Sequence, residues 1–246
     1  MGTFAAAFLF LAFSGPSAND FAAQQERAPR VRAARAHVTQ TVAAHFKDTG
    51  VAYPPARLFI RAFKSEKLLE VWAAGPKGPY ALIHAYPVCA LSGALGPKRQ
   101  EGDGQIPEGF YEVDRFNPAS NFHLSLGVSY PNPSDRLRGT SPRLGGDIMI
   151  HGNCVTIGCL PLTDALIEEV YVMAVDTRAH GGGRIPVHIF PHRMDDEGMA
   201  WLSTRNAPPE MLAFWEELRP GFTAFETRHE LPVVNVEPKT GRYRVK

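Results

Sequence analysis

Charge of one sign is the first thing missing here: 26 lysines and arginines meet 25 aspartates and glutamates, a formal net charge of +1. Nucleic acids are held by basic surfaces, so this balance, with no reader motif in the chain, argues against that class of partner. Cysteine is scarce as well: three in 246 residues, with no C-x-x-C pair. That sets aside zinc-ribbon and thioredoxin-like readings. No H-E-x-x-H helix is present, and neither a metal nor a cofactor is expected. The stretch AHGGGR at residues 179–184 is superficially like a lipase oxyanion loop, but no G-x-S-x-G elbow accompanies it, which removes the serine-hydrolase reading. The chain holds no internal repeat and no low-complexity tract.

What is present points to a globular, β-rich protein. Hydrophobic residues make up 44% of the chain, enough for a core, and 22 glycines with 21 prolines imply many turns and short strands. Residues 4–13 form an apolar run of the length of a signal-peptide core, too short to span a bilayer, followed by small and turn-forming residues. No Lys or Arg precedes it, yet it predicts export, with a leader over residues 1–23. Residues 24–56 read as a helical segment, because Val31, Ala34, Val38, Val42 and Phe46 recur at helical spacing. Arg30, Arg32 and Arg35 at its start read as a solvated face or as a contact with an anionic surface, membrane or wall polymer. Short apolar runs at 58–63, 68–73, 80–88, 110–113 and 122–128 predict strands. Residues 93–109 read as a long surface loop. A strand at 147–151, a helix from Thr163 and a strand at 184–190 complete a domain over 57–194. Past it, a helix over 208–218 and two strands predict an extension over 195–246.

The chemistry concentrates in IHGNCVTIGCLPLTD, residues 150–164. His151 and Cys159 stand eight residues apart, separated by small, turn-prone and hydroxyl residues. A thiol, a base and room for a carbonyl are the parts of a cysteine acyl-transfer site. Gly158 removes bulk beside the thiol and lets backbone N–H groups approach a carbonyl oxygen. The competing reading for Cys159 is a buried structural thiol. Cys154 reads as a structural thiol, Cys89 as a core residue, and His84 and His188 as sheet histidines. An odd cysteine count leaves at least one thiol free or paired with another chain.

IHGNCVTIGC resembles the signature of the L,D-transpeptidase catalytic domain (YkuD type), and most closely its YafK-like branch. That likeness extends to residues 93–113, 117–136 and 188–194. The resemblance implies an α+β fold: a mixed β-sandwich or partly open barrel with one long helix packed on it. It implies Cys159 as nucleophile and His151 as proton donor and acceptor, with Gly158, Ile157, Thr156 and Gly152 shaping the oxyanion hole and acyl pocket. The implied substrate is the peptidoglycan stem peptide, cleaved at meso-diaminopimelate through a thioester, in the periplasm or cell envelope. The acyl group would pass to an amine or, as in an amidase of the branch that releases a wall-attached lipoprotein, to water. One departure stands out: where the usual signature has a second histidine two residues before the cysteine, this chain has Ile157. A silent wall-binding module is the competing class. Lys98, Arg99 and Arg143 are candidates for contact with stem carboxylates.

Overall fold

The structure, a computed structural model, describes residues 18–246; the apolar run of the expected leader lies outside the described residues. Its helices are α1 (Ala18–Glu26), α2 (Pro29–Phe46), α3 (Pro133–Arg138), α4 (Asp164–Ala179), α5 (Asp196–Ser203) and α6 (Pro209–Arg228). The main sheet runs through β1 (Arg57–Phe63), β2 (Leu68–Ala74), β3 (Ala81–Pro87), β4 (Gly109–Asn117), β5 (Ser125–Val128), β6 (Met149–His151), β7 (Leu160–Pro161) and β8 (Pro186–Phe190); β9 (Val234–Val236) and β10 (Tyr243–Val245) form a separate hairpin. The eight strands lie in the order β3-β2-β1-β8-β4-β5-β6-β7, parallel at β1/β8 and β6/β7 and antiparallel elsewhere.

The sheet curls until its two edges meet. Just beyond β3, the Cys89 N–H donates to the Pro161 carbonyl of β7 at 3.1 Å. A Cys89–Cys154 disulfide, Cα–Cα 5.6 Å, ties the same edges together. The fold is therefore α+β, a mixed sheet curled into a partly open barrel with the long helix α4 packed on it. The pairing also answers the odd cysteine count: Cys89 is not a lone core thiol, Cys154 is its partner, and Cys159 stays free. The bond spans 65 residues of sequence, so by loop-closure entropy it stabilises the fold by about 4 kcal/mol. A Cys89→Ser/Cys154→Ser variant is expected to unfold that much more easily in urea. An unchanged midpoint would mean the sheet edges hold without it.

Both faces of the sheet are covered, which explains its near-continuous apolar runs. Along β1, Leu58, Ile60 and Ala62 face the core with α2 and α4, while Phe59 and Phe63 face the clusters under α6. α2 buries the row Val31, Ala34, Val38, Val42 and Phe46, the one its spacing predicts. Within the expected helical segment 24–56, α1 ends at Glu26 and α2 begins at Pro29, which extended Ala28 precedes. Position 23, the expected end of the leader, falls inside α1, where Phe21 packs edge-on against Phe116 at 5.0 Å.

α6 runs ten residues beyond its expected end at 218, through Pro220. An interior proline costs about 3 kcal/mol. Here Phe222 and Phe225, one turn further on, bury against the sheet with Phe214, Trp215 and Leu218, enough apolar area to offset it. The predicted strand over 122–128 shortens to β5 because His123 adopts φ +68°, outside the extended region. Among the described residues no helix is long and apolar enough to cross a membrane.

Candidate active site

Strand pairing places the two chemical residues. Parallel β6 and β7 align Ile150 with Leu160 and His151 with Pro161. Cys159 precedes Leu160, so it falls two positions behind the residue opposite His151. Cys159 itself lies in the bend that leads into β7, which puts its Cα roughly 8 Å from that of His151 by strand spacing and rise.

His151 is 1% exposed. Its Nδ1 lies 2.5 Å from the carbonyl oxygen of Gly152, so Nδ1 carries the proton and donates, leaving Nε2 with its lone pair. Burial pushes the imidazole below its ordinary 6.5, and the Gly152 hydrogen bond pulls partly the other way. The ring of Phe122 lies against the imidazole at 4.8 Å between centroids. Gly152 is expected as a pocket residue; the structure puts its carbonyl behind the imidazole. A Cβ there would strike Asp164 Oδ1, which accepts from Asn153 N at 2.8 Å.

Cys159 is half-buried, with its Sγ 3.6 Å from the Asp147 carbonyl. Burial pushes the thiol above its ordinary 9.0; a backbone hydrogen bond at Met149 and the charge of Lys98 pull it down, while Asp147 adds to the rise. Cysteine and histidine are therefore both neutral at neutral pH and do not form an ion pair at rest.

The turn before Cys159 is organised by Thr156. Its hydroxyl accepts from Gly158 N at 3.1 Å and Cys159 N at 2.7 Å, and donates to the Cys159 carbonyl at 2.8 Å. The two N–H groups that a carbonyl oxygen would need are thus held by a local side chain. Gly158 sits at φ +137°, and a Cβ would come within 3.1 Å of the Gln105 carbonyl, so the long loop 93–109 lies directly against the turn before Cys159. Ile157 is 89% exposed, with Val155 and Phe122 also exposed.

Several neighbours of this site left no clear signal in the sequence. Phe122 was part of an expected strand, and a backbone carbonyl partner for His151 has no residue signature. Lys98, a candidate for substrate carboxylates, pairs with Asp103 at 2.6 Å; Arg99 lies over Phe214 and 3.3 Å from Asp135; Arg143 stays exposed, 3.6 Å from Glu101. The arginines of α2 have internal partners too. Arg32 Nη1 donates to the carbonyls of Glu26 and Arg27, and Arg35 pairs with Asp176 and Glu26. His188 is buried among Phe59, Phe110 and Phe190, and burial drives it down to about 3. His84 stacks on His45 at 4.0 Å. Among the described residues, no group of three or more His, Cys, Asp or Glu is arranged to hold a metal ion. A cleft of about 550 Å³ opens between α3, α6 and the 93–109 loop, lined by Arg99, Arg138, Phe214 and Arg242 among others; His151 and Cys159 do not line it.

No protein-family model matches the chain. It is 34% identical over 209 residues to the "Putative L,D-transpeptidase YafK" of Escherichia coli K12, covering 84% of this chain and 80% of that protein. Among solved structures it is similar to the helical cell shape determining protein Pgp2 of Campylobacter jejuni, at 18% identity and TM-score 0.45, covering 81% of this chain and 80% of that one. It is also similar to L,D-transpeptidase 1 of Mycobacterium tuberculosis, at 14% identity and TM-score 0.31, covering 54% and 61%.

Proposed function

The chain belongs to the L,D-transpeptidase family, and on that premise we propose that it is an exported cysteine acyltransferase of peptidoglycan stem peptides. Membership supports a peptidoglycan-related role. The observation that carries the finer reading is the Gly152-oriented neutral His151 on β6, paired with the strand β7 that the one free thiol among the described residues, Cys159, immediately precedes.

In this reading His151 Nε2 takes the Cys159 proton as sulfur attacks the carbonyl carbon of a meso-diaminopimelate residue. Nε2 then returns that proton to the departing amine, leaving a thioester. An acceptor amine attacks the thioester in turn, His151 removes its proton, and the thiol is regenerated. Thr156 must release the N–H groups of Gly158 and Cys159 for them to receive the oxyanion. The substrate carbonyl, acquiring negative charge, is a stronger acceptor than a neutral hydroxyl and displaces it.

Export is supported by the Cys89–Cys154 bond, which forms and persists in oxidising compartments, and by the apolar run at residues 4–13.

Incubation with sacculi and mass spectrometry of the muropeptides tests the proposal. New cross-links that vanish with Cys159→Ala are the expected result. Shortened stems or released protein with the same cysteine dependence would assign the second half-reaction to water. No change with the wild-type protein would favour the silent wall-binding module, for which the occupied N–H groups and the raised thiol are the supporting features.

A further inference from the structure

Gly152 is gripped from both sides. Its carbonyl accepts from His151 Nδ1, and its N–H donates to the Phe122 carbonyl at 3.0 Å, with Leu124 O further off at 3.3 Å. The loop that carries Phe122 thus touches the base twice, through this peptide and through the ring tilted against the imidazole. The loop has no strand ladder of its own at that point, since His123 sits in the left-handed region and β5 starts only at Ser125. It is held from outside. Arg30, in the first turn of α2, donates through a single nitrogen, Nη1, to the Ser120 carbonyl at 2.7 Å and to the His123 carbonyl. From α4, Glu168 Oε1 lies 2.7 Å from His123 Nε2.

We propose that Arg30 is a positioning residue for the base: it pins the Phe122 loop, which in turn fixes the Gly152 peptide and with it the tautomer and orientation of His151. A cation bound to two carbonyls replaces the pairing that the left-handed His123 denies this loop, and such charge-assisted bonds are the stronger kind. The proposal rests on the reading of His151 as the base, but its primary readout needs no substrate.

That readout is the imidazole itself. In protein with ¹⁵N-labelled histidine, the His151 signals, identified by their loss in His151→Gln, should be those of a single tautomer protonated at Nδ1. Arg30→Ala should move them toward a mixture of tautomers. Arg30→Lys should restore them, because one ammonium can reach both carbonyls just as the single Nη1 does. In turnover, Arg30→Ala should lower kcat roughly tenfold with little change in KM, as expected for a misaimed group, and Arg30→Lys should recover it. Arg30 is largely exposed, so Arg30→Ala should keep the wild-type circular dichroism. Unaltered His151 signals in Arg30→Ala would overturn the proposal, as would an Arg30→Lys protein that is folded yet no better than Arg30→Ala. If sacculi are unchanged by the wild-type protein while the tautomer still responds to Arg30, the assigned activity fails and the positioning stands.

Discussion

His151→Gln lowers kcat/KM about 10³-fold at neutral pH, within the range expected for loss of a general base, and the deficit narrows as the pH rises. Both halves follow from the resting state. Burial holds the Cys159 thiol above its ordinary 9.0, so at neutral pH the nucleophile carries its proton and needs a base to remove it. Without His151, the rate tracks the thiolate that forms unaided, and it climbs through the alkaline range. In the wild-type protein the acid limb reports His151. Burial lowers the pKa of its conjugate acid below 6.5; above the lowered value Nε2 is free to accept, and below it the proton blocks it. The acid limb of kcat/KM therefore lies below pH 6.5. Profiles for both proteins, measured with a soluble stem peptide, check this. A variant profile parallel to the wild type would mean that His151 is not the base. Fast alkylation of Cys159 by iodoacetamide at pH 6 would mean a preformed thiolate, against the neutral pair.

Lys64→Met destabilises the fold by about 4 kcal/mol, in the range for a buried ion pair that loses one partner. Lys64 is 2% exposed and Glu108 fully buried. The ammonium donates to Gly96 O at 2.8 Å and Ile106 O at 3.0 Å and pairs with Glu108 at 2.9 Å. The carboxylate also accepts from Gly96 N at 2.7 Å and from Trp215 Nε1 at 2.8 Å. All three ammonium protons and both carboxylate oxygens are matched. Removing the cation leaves a carboxylate in the dark with only neutral donors. Thermal melting should show a fall on the order of 10 °C for a chain of this size. Lys64→Met/Glu108→Leu should recover much of it, though not all, since Trp215 Nε1 and Gly96 N then lose their acceptor. A single variant within about 1 kcal/mol of wild type would refute the account. The network ties β1, both ends of the 93–109 loop and α6 together, and that loop lies against Gly158. The same substitution should therefore also slow any chemistry at Cys159.

The buried row of α2 was legible because a period of 3.6 survives without knowledge of neighbours, and the strands were legible as short apolar runs between glycine and proline breaks, which are likewise local. The boundaries that failed did so for tertiary reasons. Pro220 reads as a stop until Phe222 and Phe225 are seen packed on the sheet. Residues 122–124 read as strand until His123 turns left-handed and gives its carbonyl to Arg30. Residues past Met194 read as an appendage because nothing local shows that Trp215 and Phe225 cover the outer face of β1, β2 and β8.

For the site the division is similar. Residues 150–164 alone specify a thiol, a histidine and a glycine-flanked turn, because side-chain identity and short spacing are properties of the chain. Which cysteine stays free is decided by a partner 65 residues away, the loop behind the imidazole is held by Arg30 from 90 and 93 residues away, and the atom that orients the imidazole is a backbone carbonyl of the kind every residue carries. Cys154 pairs with Cys89 because the sheet curls its edges together, and Arg30 reaches the Phe122 loop from α2, which packs against α4. Those are consequences of packing, and packing is a property of the whole chain at once.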